Sequence, residues 1–207
     1  MCVGGLAMHW GGVTPRFTPE DFRLPSLYGL GDDWPITYED LDPHYQEAEE
    51  RMGVAGERGP ATLDARTKPY PLPALPLSYN LQQLRDWAAK ADIPMWSQPS
   101  AKNSMPYQGR PQCCRSDTCA PICPVGAKYS PDFTWNALRA NNRIELFTGT
   151  LVRRLVRDGA SNRITHALAT NDLEFRARTF VIAGGYVWTS HLLLLSADSR
   201  FANGLAN

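Results

Sequence analysis

Between Gln112 and Ala127 the sequence reads QCCRSDTCAPICPVGA, and four of the chain's five cysteines fall there: Cys113, Cys114, Cys119 and Cys123. Cysteines at this density answer to three chemistries: a disulfide staple, a zinc site or an iron–sulfur cluster. Disulfide frameworks usually spread their cysteines along a small secreted chain so that the bridges close long loops. Zinc prefers paired Cys-x2-Cys knuckles, or a Cys pair followed by a spaced His pair, and neither occurs here. The run Cys114-x4-Cys119-x3-Cys123-Pro124 closes on the Cys-x3-Cys-Pro that ends bacterial ferredoxin runs, where thiolates ligate iron. Spacing therefore favours an iron–sulfur cluster and leaves disulfides open. Adjacent Cys113 and Cys114 point in different directions, so one of the two is expected to ligate. Three thiolates suit a three-iron cluster.

Two glycine-bearing stretches are also fit for chemistry. The first holds Gly4, Gly5, His9, Trp10, Gly11 and Gly12, two glycine pairs bracketing a histidine and an indole. Glycines so placed let backbone approach a ligand closely; the plain alternative is a tight turn with a buried Trp. The second runs Val181-Ile182-Ala183-Gly184-Gly185, a strand ending in glycines, after which Thr189 or Ser190 is expected to cap a helix through Leu195. Strand, glycine turn and helix N-terminus can hold a phosphate with backbone N–H groups. No complete Gly-x-Gly-x-x-Gly occurs in the chain.

The elements that must position these residues are legible in part. Thr37 is expected to cap a helix with Asp40 as its capping-box partner, Pro43 tolerated in the first turns and Gly53 at the end. Leu41, Tyr45, Ala48 and Met52 mark an apolar face, with Glu47, Glu49, Glu50 and Arg51 read as a solvated one and His44 as structural. Prolines then favour an extended covering segment from Gly56 to Tyr79. A second helix carries Leu81, Leu84, Trp87, Ala88 and Ala91 on one face, and Pro94 marks its end. Ser130 and Pro131 open a third helix. The period then changes to that of strands over 143–148, 150–157 and 164–169, with a last strand from Glu174 into Gly184 and Gly185.

Composition bounds the rest. The 207 residues are 43% hydrophobic, enough for a core, and Lys plus Arg equals Asp plus Glu at 21 each. No global charge argues for nucleic acid or a membrane surface. The longest apolar run, Leu192 to Leu195, is far short of the ~20 residues that span a bilayer.

Taken together, the Gly4 to Gly12 stretch with Asp33-Trp34-Pro35-Ile36, the cysteine loop, and the Val181 to Ser196 stretch resemble the glucose–methanol–choline (GMC) family of flavin-dependent alcohol oxidoreductases. The cysteine loop is similar to that of its branch of gluconate, fructose, sorbitol and glucose dehydrogenase large subunits. The resemblance implies an α/β fold, α+β overall: an incomplete Rossmann-like FAD-binding domain with an inserted loop-rich segment bearing the cluster. Residues 1–55 would be the flavin-contacting loop and helix, 56–130 the insert, and 131–207 the return to the FAD domain. It implies FAD along Gly4, Gly5, His9, Trp10, Gly11 and Gly12, with Ala183, Gly184, Gly185 and Thr189 on the adenine or pyrophosphate side. His9 occupies the position that carries a covalent flavin link in some members. Cys113 or Cys114, with Cys119 and Cys123, would hold an iron–sulfur cluster of the 3Fe-4S kind.

The same resemblance implies a small-molecule alcohol substrate, a small subunit and a multihaem cytochrome c subunit as partners, and a periplasmic place at the membrane through those partners rather than by insertion. The family's Gly-x-Gly-x-x-Gly turn would precede Met1 and its catalytic His would follow Asn207, so the chain is expected to be an internal piece of a longer enzyme with no catalytic base of its own. Two other readings stand beside this one: a flavin alcohol oxidase or dehydrogenase whose cysteines form disulfides, and a flavin-free iron–sulfur electron-transfer module.

Overall fold

The computed structural model describes residues 3–205; Met1, Cys2, Ala206 and Asn207 lie outside them. The chain is mixed helix and strand and divides into two units, Met1–Arg143 and Ile144–Asn207.

In the first unit, a 3-10 turn, Gly5–Met8, precedes a second at Pro19–Arg23, which runs into the short helix α1, Leu24–Tyr28. The principal helix, α2 (Tyr38–Met52), starts where the capping box places it. The Asp40 N–H donates to Thr37 Oγ1 (3.3 Å), and the Asp40 carboxylate accepts from the Thr37 N–H (2.8 Å). It ends at Gly53, whose φ of 64° lets its N–H return to the carbonyls of Glu49 and Glu50.

The buried face of α2 differs from expectation. It comprises Tyr38, Asp42, Gln46 and Glu49, while Ala48 is exposed and Leu41, Tyr45 and Met52 only flank it. Glu49 is buried because two arginines from elsewhere in the chain reach it. Arg16 donates through Nε (2.8 Å) and Nη2 (2.9 Å) to its two oxygens, and Arg66 through Nη2 (2.8 Å) and Nη1 (3.0 Å). Arg66 also bonds Asp64 (3.0 Å) and stacks on the Tyr70 ring, 3.3 Å from its centroid. A carboxylate so paired tolerates burial that a lone one would not. The supposed solvated face is thus, at Glu49, an anchored one, beside buried Asp42; Glu47, Glu50 and Arg51 do remain exposed, as does His44.

From Gly53 the chain enters β1 (Ala55–Gly56), which pairs in parallel with β2 (Leu72–Pro73). Residues 99–103 form an extended rail between three neighbours. Ser100 and Ala55 exchange backbone hydrogen bonds (2.8 and 2.9 Å). Thr14 N–H donates to the Pro99 carbonyl (3.0 Å) and Ala101 N–H to that of Gly12 (2.7 Å). On the far side Tyr129 N–H reaches Ala101 (2.8 Å) and Asn103 N–H reaches Ala127 (3.1 Å). Val54, Ala55, Leu72, Ala101 and Ala127 are the apolar residues buried around it.

Helix α3 (Tyr79–Lys90) forms as its spacing predicts, with Ser78 as N-cap, but buries no residue: Leu81, Leu84 and Trp87 are exposed. Helical periodicity reports an apolar face, not what covers it. Helix α4, Pro131–Ala140, begins with Ser130 as N-cap and Pro131 first.

The second unit is an antiparallel sheet in the order β3-β4-β5, formed by Val152–Arg157, Ile164–Ala169 and Glu174–Phe175, with helix α5 (Tyr186–Leu195). Leu155, Ala167 and Leu205 are its buried centre, with Phe180, Ile182, Leu192 and Leu193 packed against them. The Ser196 hydroxyl ties helix end to sheet by accepting from the Leu155 N–H (2.9 Å).

Three expectations are corrected here. Residues 143–148 are not a strand, because no described segment pairs with them. The last strand stops at Phe175. Residues 180–182 keep a strand's alternation, with Phe180 and Ile182 inward and Val181 86% exposed, but have no ladder partner among the described residues. Helix α5 begins at Tyr186 with Gly185 as N-cap. Thr189 and Ser190 therefore lie inside it; Thr189 N–H makes its first-turn bond to Gly185 O (2.8 Å) and the Ser190 hydroxyl bonds back to Tyr186 O (2.7 Å).

Candidate functional site

The cysteine loop is clasped at its base by groups that bond both of its ends. Asn103, fully buried, accepts the Cys113 N–H at its carbonyl (2.8 Å) while its own N–H holds Ala127. Arg110, also buried, donates to the Ala127 carbonyl (3.0 Å) and to that of Met52 at the end of α2 (2.6 Å). Between these ends, Arg115 and Asp117 sit in the left-handed region, with φ of 55° and 57°.

Cys113, Cys114, Cys119 and Cys123 are all free thiols and line one pocket of about 870 Å³, together with Lys102, Arg115 and residues on either side of α3. They share its wall without converging: among the described residues no group of three His, Cys, Asp or Glu side chains is drawn together as around a single metal ion. The chemistry of the donors nevertheless suits a soft metal. Burial pushes the Cys123 thiol up, yet the backbone N–H groups of Lys128, Val125, Ala127 and Gly126 outweigh it and hold the thiol below its ordinary value. Such a ring of N–H donors stabilises a thiolate. Cys113 is half-buried with its sulfur accepting the Arg115 N–H (3.4 Å), whereas Cys114 is exposed.

The glycine–histidine–tryptophan stretch lies directly against this loop. Gly4 caps the Gly5–Met8 turn, and His9, exposed, closes it with its N–H on the Leu6 carbonyl (3.0 Å). The Trp10 indole donates to the Tyr129 carbonyl (2.9 Å), and the Trp10 carbonyl accepts from Lys128 Nζ (2.6 Å). Gly11 links Trp10 to Gly12, which has a φ of 82°; a β-carbon there would stand 3.2 Å from Lys128 Cγ and 3.4 Å from Lys102 Cε. That close approach explains a glycine at position 12. Lys128, only 3% exposed, also donates to the Cys119 carbonyl (2.7 Å). Burial lowers its affinity for a proton, with the Cys119 and Cys123 thiols acting in the opposite sense.

No protein-family profile matches the chain. Against curated proteins, it is 37% identical across 99% of its length to the fructose dehydrogenase large subunit of Gluconobacter japonicus. It is 29% identical to 2-methyl-1,2-propanediol dehydrogenase of Mycolicibacterium austroafricanum, and 26% identical to the gluconate 2-dehydrogenase flavoprotein of Pantoea cypripedii, again across 99% of its length. The chain is similar to dehydrogenases of sugars, polyols and sugar acids. It spans 38% of the length of the first two and 39% of the third.

Set beside these dehydrogenases, the residues singled out by sequence divide between the two units. Gly4, Gly5, His9, Trp10, Gly11 and Gly12 share the first with the four cysteines. Ala183, Gly184, Gly185 and Thr189 belong to the second, around the start of α5, where the N-cap position has no side-chain hydrogen bond. Sequence reasoning missed Lys128, Arg110 and Asn103. A lysine five residues past Cys123 gives no local signal of burial; its partners Trp10 and Cys119 lie 118 and 9 residues away.

Proposed function

We propose that this chain is part of the catalytic subunit of a GMC-type, FAD-dependent oxidoreductase that oxidises a CH–OH group of a sugar, polyol or sugar acid. Electrons leave through an iron–sulfur cluster on the cysteine loop toward a cytochrome c partner. The observation that carries this reading is the 37% identity over 99% of the chain to a fructose dehydrogenase large subunit. The names of the other relatives, a diol dehydrogenase and a gluconate dehydrogenase flavoprotein, support the same substrate class and flavin.

The Rossmann-like FAD domain comprises residues 1–55 and 131–207, with 56–130 inserted. Along the Gly4 to Gly12 stretch the backbone lies against the flavin, with His9 beside the cofactor. Ala183 to Gly185 and the first turn of α5, including Thr189, face its adenine or pyrophosphate side, where uncapped N–H groups suit an anion. Cys119 and Cys123 ligate the cluster; the half-buried, N–H-bonded Cys113 is the third ligand in preference to exposed Cys114. When bound, FAD supplies the two-electron acceptor and the cluster a one-electron relay. This chain's residues tie the two loops together through Lys128 and bias the Cys123 thiol toward thiolate. A small subunit and a multihaem cytochrome c complete the enzyme, which resides in the periplasm, bound to the membrane through those partners. Among the described residues no helix is long and apolar enough to cross a membrane.

The test is the complete gene product expressed with its partner subunits. Flavin absorbance together with about three iron atoms and acid-labile sulfide per chain is expected. Cys113→Ser, Cys119→Ser and Cys123→Ser should each remove the iron and Cys114→Ser should retain it. Flavin without iron would sink the cluster, and absence of both would sink the whole reading.

A further inference from the structure

The pocket that carries the four thiols is bordered by positive charge. Lys102 and Arg115 line it against one carboxylate, Asp117, and Lys128 lies buried just behind Cys119. An interior ammonium is costly unless an opposite charge answers it. Lys128 has neutral partners only: its Nζ bonds the carbonyls of Trp10 (2.6 Å), Cys119 (2.7 Å) and Pro121 (3.5 Å). No ion pair involving it is present among the described residues; buried Arg16 and Arg66 both meet carboxylates, while Arg110 at the loop's base is, like Lys128, hydrogen-bonded to carbonyls alone. Its contact with the Cys119 carbonyl sets this ammonium beside the cysteine loop, whose sulfurs carry negative charge once they are thiolates.

Resting on the cluster reading above, we propose that Lys128 is the positioning residue of this site. Its ammonium fastens the glycine–histidine–tryptophan loop to the cysteine loop, and its buried charge offsets the negative charge of the thiolate-bound cluster, raising its reduction potential. The location makes both roles one. Three N–H donors radiate from a single nitrogen to carbonyls at both ends of the assembly, so the two loops move together or not at all. A positive charge held in low dielectric beside the cluster stabilises its more negative, reduced form.

The experiment uses the complete enzyme with its partner subunits and compares Lys128→Met and Lys128→Arg with wild type. Each is assayed for flavin, iron and sulfide, and the cluster's midpoint potential is read by a redox titration followed by electron paramagnetic resonance. Lys128→Met is expected to weaken the cluster's hold on its electron at least tenfold, a shift of about 59 mV to more negative potential for one electron. Lys128→Arg is expected to stay near wild type. Loss of the cluster in Lys128→Met with its retention in Lys128→Arg also supports the proposal. An unchanged potential in Lys128→Met overturns it. So does a shift of equal size in both variants, or loss of the cluster in both while flavin is kept, since shape rather than charge is then what matters. A wild-type enzyme with no cluster overturns the functional reading instead, and is distinguished by its iron and sulfide content alone.

Discussion

At the scale of single residues, the first unit is organised by charged groups to an unusual degree. Glu49 accepts two hydrogen bonds from each of two arginines, and Asp42 joins Arg16, Gln46 and Thr67 in the same network. Removing one partner from a buried pair leaves the other charge unanswered, which costs about 3–5 kcal/mol. Glu49→Ala would remove four charge-assisted hydrogen bonds and leave two buried arginines with one carboxylate each, Asp42 for Arg16 and Asp64 for Arg66, so a loss of about 3 kcal/mol, the lower end of that range, is expected in denaturant unfolding; an effect below about 1 kcal/mol would show the network to be dispensable. This network was hidden in the sequence. The helix pattern around Glu47 to Arg51 reads as solvent-facing because a carboxylate on a helix is usually wet. Only the arrival of Arg16 and Arg66, 33 and 17 residues away, reverses that.

At the scale of elements, the ends of α2 and the start of α4 were written locally and came out as written, whereas α5 starts at Tyr186, ahead of the expected caps Thr189 and Ser190. Thr37 with Asp40, Gly53, and Ser130 with Pro131 lie at their expected ends. Gly53 does more than end α2. A β-carbon there would stand 2.7 Å from Arg110 Nη2 and 2.9 Å from Asn103 Oδ1, the two side chains at the base of the cysteine loop. Gly53→Ala is therefore expected to destabilise the chain by at least the ~1–2 kcal/mol of a left-handed non-glycine residue, seen as a lower denaturation midpoint at unchanged slope. Wild-type stability in that variant would mean that the loop base yields freely. Strands were less legible. The 143–148 segment and residues 180–182 have strand composition, but a strand is completed only by a neighbour's backbone, which composition does not record.

At the scale of the whole chain, net charge is zero, so its pH response follows particular groups. Burial would raise the Glu49 and Asp42 carboxyls; hydrogen bonds from Arg16 and Arg66 to Glu49, and from Thr67, Arg16 and Gln46 to Asp42, outweigh it and hold both below their ordinary values of 4.5 and 3.8. A depressed folded value means that the unfolded chain binds protons first as pH falls. The stabilisation is complete above the unfolded values and is lost as pH falls through the folded ones. Denaturation midpoints are expected to be flat above about pH 5 and to drop progressively below about pH 4.5; a midpoint constant down to pH 3 would contradict the network's role. The sequence by itself singled out the cysteine run and the glycine–histidine–tryptophan stretch as candidates for chemistry, and set the two ends of α2 and the start of α4. Those signals act within a few residues of chain, where spacing and capping chemistry suffice. Only the tertiary structure decided that α2 buries Asp42 and Glu49, that the two candidate loops touch, and that Lys128 is the cation between them. Each depends on groups brought together from up to more than a hundred residues apart, where buried polar groups must find partners that local spacing does not record.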